Sequence, residues 1–127
     1  MPRYVLLRHE CPPNYRSGSH YDLMLECDGV LRTWELMTPP SEWSRALGLR
    51  GNQANRVEVA PLTDHRLDYL EYEGAVSEGR GSVQRVAQGT FEWLERSESR
   101  CAWVFGPGSF EGKAEIDVKQ GLLSVML

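Results

Sequence analysis

All three histidines of the chain, His9, His20 and His65, lie beside carboxylates or arginines, in or next to polar turns. His20 and Asp22 sit two positions apart in a run that alternates as a strand does. Both therefore project from one face, while Tyr21, Leu23, Leu25 and Cys27 fill the other. His9 closes the first strand-like segment, and His65 follows Asp64 in the turn before Leu67-Asp68-Tyr69. If the fold brings these ends together, His9, Asp22 and His65 offer two imidazoles and one carboxylate. Such a donor set suits a divalent transition metal with open positions. Each histidine taken singly also fits a surface or hydrogen-bonded role, and dispersed ligands do not define a site by spacing alone.

The elements that must position these groups read as short strands between turn residues. Arg3 to His9 alternates weakly and is rich in Val, Leu and Tyr. Tyr21 to Cys27 and Val30 to Leu36 flank Asp28-Gly29, the dipeptide most typical of a tight hairpin. Further strands are expected at Arg56 to Val59, Ser82 to Val86, Thr90 to Glu95, Cys101 to Phe105, Lys113 to Val118 and Leu122 to Met126. Only Ser41 to Leu49 reads as a helix, with Ser41 as its N-cap after Pro39-Pro40. Glu10 to Ser19 and Gly74 to Gly81 carry the composition of exposed loops. The expected fold is mainly β, an antiparallel barrel or sandwich of about eight strands with one short helix. Residues 1 to 127 are expected to form one domain, since a chain of this size can bury a real core without staples.

Composition narrows the function. The net charge of −4, from 14 basic and 18 acidic residues, opposes adhesion to a polyanion through the overall field, so a nucleic-acid partner needs a local site. Arginine outnumbers lysine: Lys113 and Lys119 are the only lysines, and the guanidinium fork suits bidentate phosphate contact. Cys11, Cys27 and Cys101 are odd in number and lack C-x-x-C spacing. That argues against a disulfide framework or a zinc ribbon and reads as buried or half-buried thiols. No apolar run approaches the roughly 20 residues of a membrane span, and no signal peptide is recognisable, so the expected compartment is the cytoplasm. Trp34, Trp43, Trp93 and Trp103 read as core or core edge, with a stacking platform for bases as the sharper alternative.

The run His20-Tyr21-Asp22-Leu23-Met24-Leu25-Glu26-Cys27-Asp28-Gly29-Val30-Leu31-Arg32-Thr33-Trp34 resembles the H-Y-D-x-R-L-E-x-D-G-V-L-x-S-W signature of the 3′-phosphoesterase domain of bacterial DNA ligase D. Asp64 to Tyr69 is similar to that family's D-H-P-L-D-Y, Tyr72 to Gly79 to its F-E-G-x-I-P-E-G, and Arg8-His9 to its K-H. The resemblance implies a small β-barrel whose concave side holds a manganese-type metal and the 3′ end of a DNA strand. It implies His9, Asp22 and His65 as metal ligands, His20 and Tyr69 as helpers at the scissile phosphate, and Arg56 as a phosphate contact. In that arrangement the metal polarises a phosphoryl oxygen, His20 donates a proton or hydrogen bond, and Arg56 neutralises developing charge.

Three departures stand out. The family's arginine in H-Y-D-x-R is Met24, a lysine it places after the hairpin is Thr38, and the segment between His9 and His20 carries an insertion. Loss of an active-site charge of this kind costs about 10²-fold or more in rate, and Arg16 or Arg8 is the expected replacement at the substrate. The reading is a stand-alone, manganese-dependent phosphoesterase that removes a 3′-terminal phosphate or ribonucleotide from DNA ends, RNA-tailed ones included. It would work beside a repair ligase or polymerase acting in trans. Two alternatives stay open: a degenerate relative that binds nucleic-acid ends without cleaving them, and a phosphoesterase for a small phosphorylated metabolite.

Overall fold

The Asp28-Gly29 dipeptide does what its chemistry allows. Both residues take positive φ, 52° and 85°, and turn β2 (His20–Cys27) tightly into β3 (Val30–Leu36) with Cys27 opposite Val30. The computed structural model describes residues 1–13, 18–50, 54–77 and 79–126. Within them the chain forms β1 (Arg3–Glu10), β2, β3, helix α1 (Ser41–Ala46), β4 (Arg56–Glu58) and β5 (Ala60–His65). A single 3-10 turn (Leu67–Leu70) then leads to β6 (Gly74–Ala75), β7 (Ser82–Arg96), β8 (Arg100–Gly108), β9 (Lys113–Asp117) and β10 (Leu122–Met126).

These strands make one antiparallel sheet in the order β4-β10-β9-β8-β7-β1-β2-β3-β5, with β6 added against β7. The mainly β class is as expected, but the sheet has ten strands and does not close into a barrel. Its outermost strands, β4 and β5, are consecutive in the chain with Val59 alone between them, and no ladder joins them among the described residues. Val59 donates its N–H to Gly121 O at 2.8 Å, and β5 begins Ala60-Pro61, where proline has no N–H to give to a neighbour.

Two segments expected as separate strands, Ser82 to Val86 and Thr90 to Glu95, are one strand of 15 residues. Gly89 between them is not a turn. A Cβ there would lie 2.8 Å from Gly108 Cα, so glycine lets β7 and β8 approach closely. The helix is shorter than expected, and Ser41 is not its cap; Pro40 holds that position. The capping oxygen comes from outside the helix. Asn55 Oδ1 accepts from the Glu42 N–H at 2.9 Å and from Ser41 Oγ at 2.6 Å. No described helix is long and apolar enough to cross a membrane.

Both faces of the central strands are buried, which explains the weak alternation of β1. One face carries the main core, where Tyr4, Leu6, Leu23 and Leu25 meet Phe91, Trp103 and Ile116. Trp43 of α1 stacks on Phe110 at 4.6 Å and closes one end of this core. Trp34, Trp43 and Trp103 are at most 2% exposed, so none of the three offers a surface on which a base could stack. The half-buried Trp93 donates its indole N–H to Glu26 O at 3.1 Å. The opposite face carries a smaller cluster of Val5, Leu7, Met24, Leu31, Leu70 and Val83.

Tyr4 ties the main core to the β8–β9 connection by accepting the Phe110 N–H at 3.1 Å. Burial pushes its phenol pKa above the ordinary value, against the partial offset of the Phe110 and Ser109 backbone donors. The folded state therefore holds this proton to higher pH than the unfolded chain does. The stabilisation is complete below about pH 10 and is lost as pH rises beyond it. Tyr4→Phe is expected to cost about 1–2 kcal/mol at neutral pH for the stranded N–H. That gap should narrow above pH 10; thermal melts of both proteins across this range check it, and parallel curves would refute it.

Candidate functional site

The pairing of β1 with β2 places His9 directly opposite His20, and their rings meet edge-on at 4.8 Å between centroids. Asp22, two residues along the same face, sits against both. Its Oδ2 is 3.4 Å from His9 Nδ1, and its Oδ1 is 3.1 Å from His20 Nε2. All three residues are at most 7% exposed.

The outer ring nitrogens determine what the inner ones can do. His9 Nε2 bonds to Arg80 O at 2.8 Å and His20 Nδ1 to Gly18 O at 3.0 Å. A carbonyl only accepts, so each of these nitrogens carries the proton, and the inner nitrogens of the neutral rings present lone pairs. Those lone pairs face a carboxylate, which likewise has only lone pairs to offer. Neither His20 Nε2 nor Asp22 Oδ1 has an aligned hydrogen bond. Groups of one polarity crowded in a buried place call for a cation between them, a proton or a metal. Ligand atoms about 2.1 Å from one ion stand about 3.0–3.5 Å apart, which matches the two nitrogen–oxygen separations here. Backbone carbonyls bonded to the far side of each ring are also what holds a ligating imidazole in orientation.

His20 shows the same field. Burial opposes its charged form, but the Asp22 carboxylate 3.1 Å away, the Gly18 carbonyl and the charge of Glu35 outweigh this, and its pKa is raised. Glu35 lies opposite Asp22 on β3 and brings Oε1 within 3.3 Å of His20 Nδ1.

A cavity of about 440 Å³ opens over these residues, lined by His9, Asp22 and Met24, by β5 from Pro61 to Thr63 with His65, and by Tyr69, Val76, Arg80 and Val83. His65 thus shares the cavity but belongs to its β5 wall. Its Nδ1 donates to Thr63 O at 2.9 Å, and its ring packs edge-on against Tyr69 at 5.3 Å. Among the described residues it is His20, rather than His65, that joins His9 on the Asp22 carboxylate. Met24 is 1% exposed and belongs to the apolar cluster beneath the cavity.

The arginines expected at the substrate lie elsewhere. Arg8 is next to His9 on β1 and so points to the other face, where it covers the Tyr21 ring at 4.9 Å and bonds Glu10 at 2.9 Å. Arg56 is on β4 and bonds Ser124 at 3.3 Å, away from the cavity. Arg16 lies outside the described residues.

Arg80 is the cavity arginine that the sequence reading missed. Its Nε and Nη2 each bond Ser77 at 2.9 Å, and it forms no ion pair among the described residues. Gly81 permits this placement. Its φ is 92°, and a Cβ there would fall 1.8 Å from Glu10 O, so only glycine lets the loop lie against the end of β1. An arginine between two glycines, Gly79-Arg80-Gly81, was the available signal. Cys11 was also passed over; its Sγ is 3.9 Å from His20 Nδ1.

Residues 13–127 match the family model of the DNA ligase D 3′-phosphoesterase domain. A segment of 77 residues, 61% of the chain, is 30% identical to the multifunctional non-homologous end joining protein LigD of Pseudomonas aeruginosa. The aligned part is 8% of that relative's length.

The ring assignments are open to direct measurement. In metal-free protein at alkaline pH, long-range nitrogen–proton NMR correlations should show His9 protonated at Nε2 and His20 at Nδ1. The reverse tautomer at either ring would remove the converging lone pairs.

Proposed function

Because the chain belongs to the DNA ligase D 3′-phosphoesterase domain family, we propose that it hydrolyses phosphoesters at the 3′ ends of DNA with the help of a divalent metal, manganese in the first instance. The observation that carries this reading is the convergence of His9 Nδ1, His20 Nε2 and both Asp22 oxygens, with the far side of each ring already bonded. These three residues would hold the ion. When bound it would supply a Lewis acid for a phosphoryl oxygen.

The remaining work falls to the chain's own side chains around the cavity. Arg80 has guanidinium donors at the cavity wall and takes the place of the strand arginine replaced by Met24, binding the equatorial oxygens of the phosphate. His65, with its Nδ1 proton donated to Thr63 O, presents Nε2 as an acceptor for a proton of the attacking water, and the Tyr69 hydroxyl donates to the leaving oxygen. Val76, Val83, Leu62 and Met24 form apolar walls that hold bulk water back while the one water that attacks phosphorus, as the ester P–O bond breaks, stays beside His65. The substrate is a 3′-terminal phosphate or ribonucleotide on a DNA end. The name of the LigD relative, an end joining protein, supports a substrate at DNA ends.

A second reading draws on Met24. The strand nearest the carboxylate offers an apolar side chain where the family has a charge, which favours a protein that binds ends without cleaving them.

Phosphate release from a primer-template DNA with a 3′-phosphate, with manganese or chelator, separates the two. Manganese-dependent release is expected, abolished in Asp22→Ala and reduced about 10²-fold in Arg80→Ala. Tight binding of the same DNA without release would favour the end-binding reading. Full activity of Arg80→Ala would remove Arg80 from the phosphate.

A further inference from the structure

We propose that Cys11, His9 and His20 form a thiolate-containing site for a soft divalent cation of the zinc type. It shares the His9 and His20 rings with the Asp22 set and rests on the reading of those imidazoles as ligands, but it takes His20 at Nδ1, whose proton then moves to Nε2 as the bond to Gly18 O is given up. One ligand atom from each of the three residues lies within 4.8 Å of the other two, and both histidines are buried. Cys11 Sγ is 3.9 Å from His20 Nδ1. Ligand atoms bound to a tetrahedral zinc ion stand about 3.3–3.8 Å apart, so side-chain movement of about 1 Å completes the set.

The backbone keeps the thiol at this place. Where the β1–β2 ladder ends at His9 and His20, the Cys11 N–H donates to Ser19 Oγ at 3.0 Å, and Ser19 Oγ donates to Glu10 Oε2 at 2.9 Å. These bonds tie the two ends of the connecting loop across the strands. The other two thiols have different company: Cys101 Sγ accepts from Arg32 at 3.3 Å and Cys27 Sγ from Arg96 at 3.0 Å.

Ligand softness decides which ion uses which side. Thiolate selects zinc and similar ions, while carboxylate suits manganese and magnesium. A harder ion is held through Asp22, and a softer one through Cys11. Binding of the soft ion exchanges the thiol proton, released to solvent, for one sulfur–metal bond, with no change of oxidation state. With the soft ion on His20 Nδ1, the ring proton sits on Nε2 and faces Asp22, so the zinc-bound protein cannot present the manganese site at the same time.

Cobalt(II) is the probe, since a thiolate on cobalt gives a near-ultraviolet charge-transfer band that imidazole and carboxylate do not. The full chain titrated with cobalt is expected to show this band, to keep it in Cys27→Ser and Asp22→Ala, and to lose it in Cys11→Ser. Zinc should displace the cobalt, and Cys11→Ser should bind zinc at least about tenfold more weakly. A band that never forms, or that survives Cys11→Ser, overturns the proposal. The measurement needs no substrate. A cobalt band without phosphate release therefore overturns the hydrolase reading and supports this one, and phosphate release without a band does the reverse.

Discussion

A carboxylate buried between two imidazoles, all three presenting lone pairs, is the constraint on which the rest of the arrangement depends. Removing an ionised group from water costs several kcal/mol even in a relaxed protein interior, so Asp22 can stay where it is only with positive charge close by. That requirement fixes strand register. His9 must stand opposite His20, and a slip of one residue between β1 and β2 would turn either the histidines or the core residues Tyr4, Leu6, Leu23 and Leu25 to the wrong face. The hairpin turn at Asp28-Gly29 holds β2 and β3 in the register that sets Glu35 opposite Asp22. Gly81 then lets a loop backbone reach His9 and determine which of its nitrogens is protonated.

The sheet serves the site by burying both of its faces. Had β1 and β2 faced solvent on the outer side, water would have satisfied Asp22 and the two rings, and nothing would draw a metal there. The small cluster of Val5, Leu7, Met24, Leu31, Leu70 and Val83 keeps that side dry. Met24 takes part in this seal, so its position on the site face has been given to packing rather than to charge. An arginine does line the cavity from the loop before β7, where Arg80 is held by Ser77 and by the glycines on either side. A loop-borne arginine can approach a substrate along a different line from one planted on a strand, and this loosens the link between core packing and phosphate binding.

Local signals were legible in the sequence where a single element carried them. The hairpin, both strands around it and the common face of His20 and Asp22 followed from a dipeptide and a period of two. What needed three dimensions was not legible. The stretch around Gly89 read as a break between two strands because the reason for its glycine, contact with Gly108, lies on another strand. Ser41 looked like a cap because Asn55, which supplies the oxygen, is 14 residues away. The barrel was an expectation carried by the family resemblance, since strand number leaves barrel and sandwich open; closure depends on whether the last edges pair, and Pro61 at the start of β5 offers no donor. At the site, the choice between His20 and His65 beside Asp22 turned on which ring faces the carboxylate, and spacing carries no such information. Arg80 was hidden among loop glycines for the same reason.

Charge balance joins these points. The chain carries −4 overall, and Asp22 and Glu35 add local negative charge next to the cavity. A phosphate monoester brings nearly two more negative charges at neutral pH. In a site shielded from water such charges repel more strongly than in bulk solvent, so one arginine on the wall does not by itself favour entry of the phosphate. A cation held by His9, His20 and Asp22 meets both demands: it relieves the crowding among its ligands and gives the phosphate an attractive partner. The geometry that makes Asp22 costly to bury is therefore the geometry that makes the cavity able to receive a phosphate.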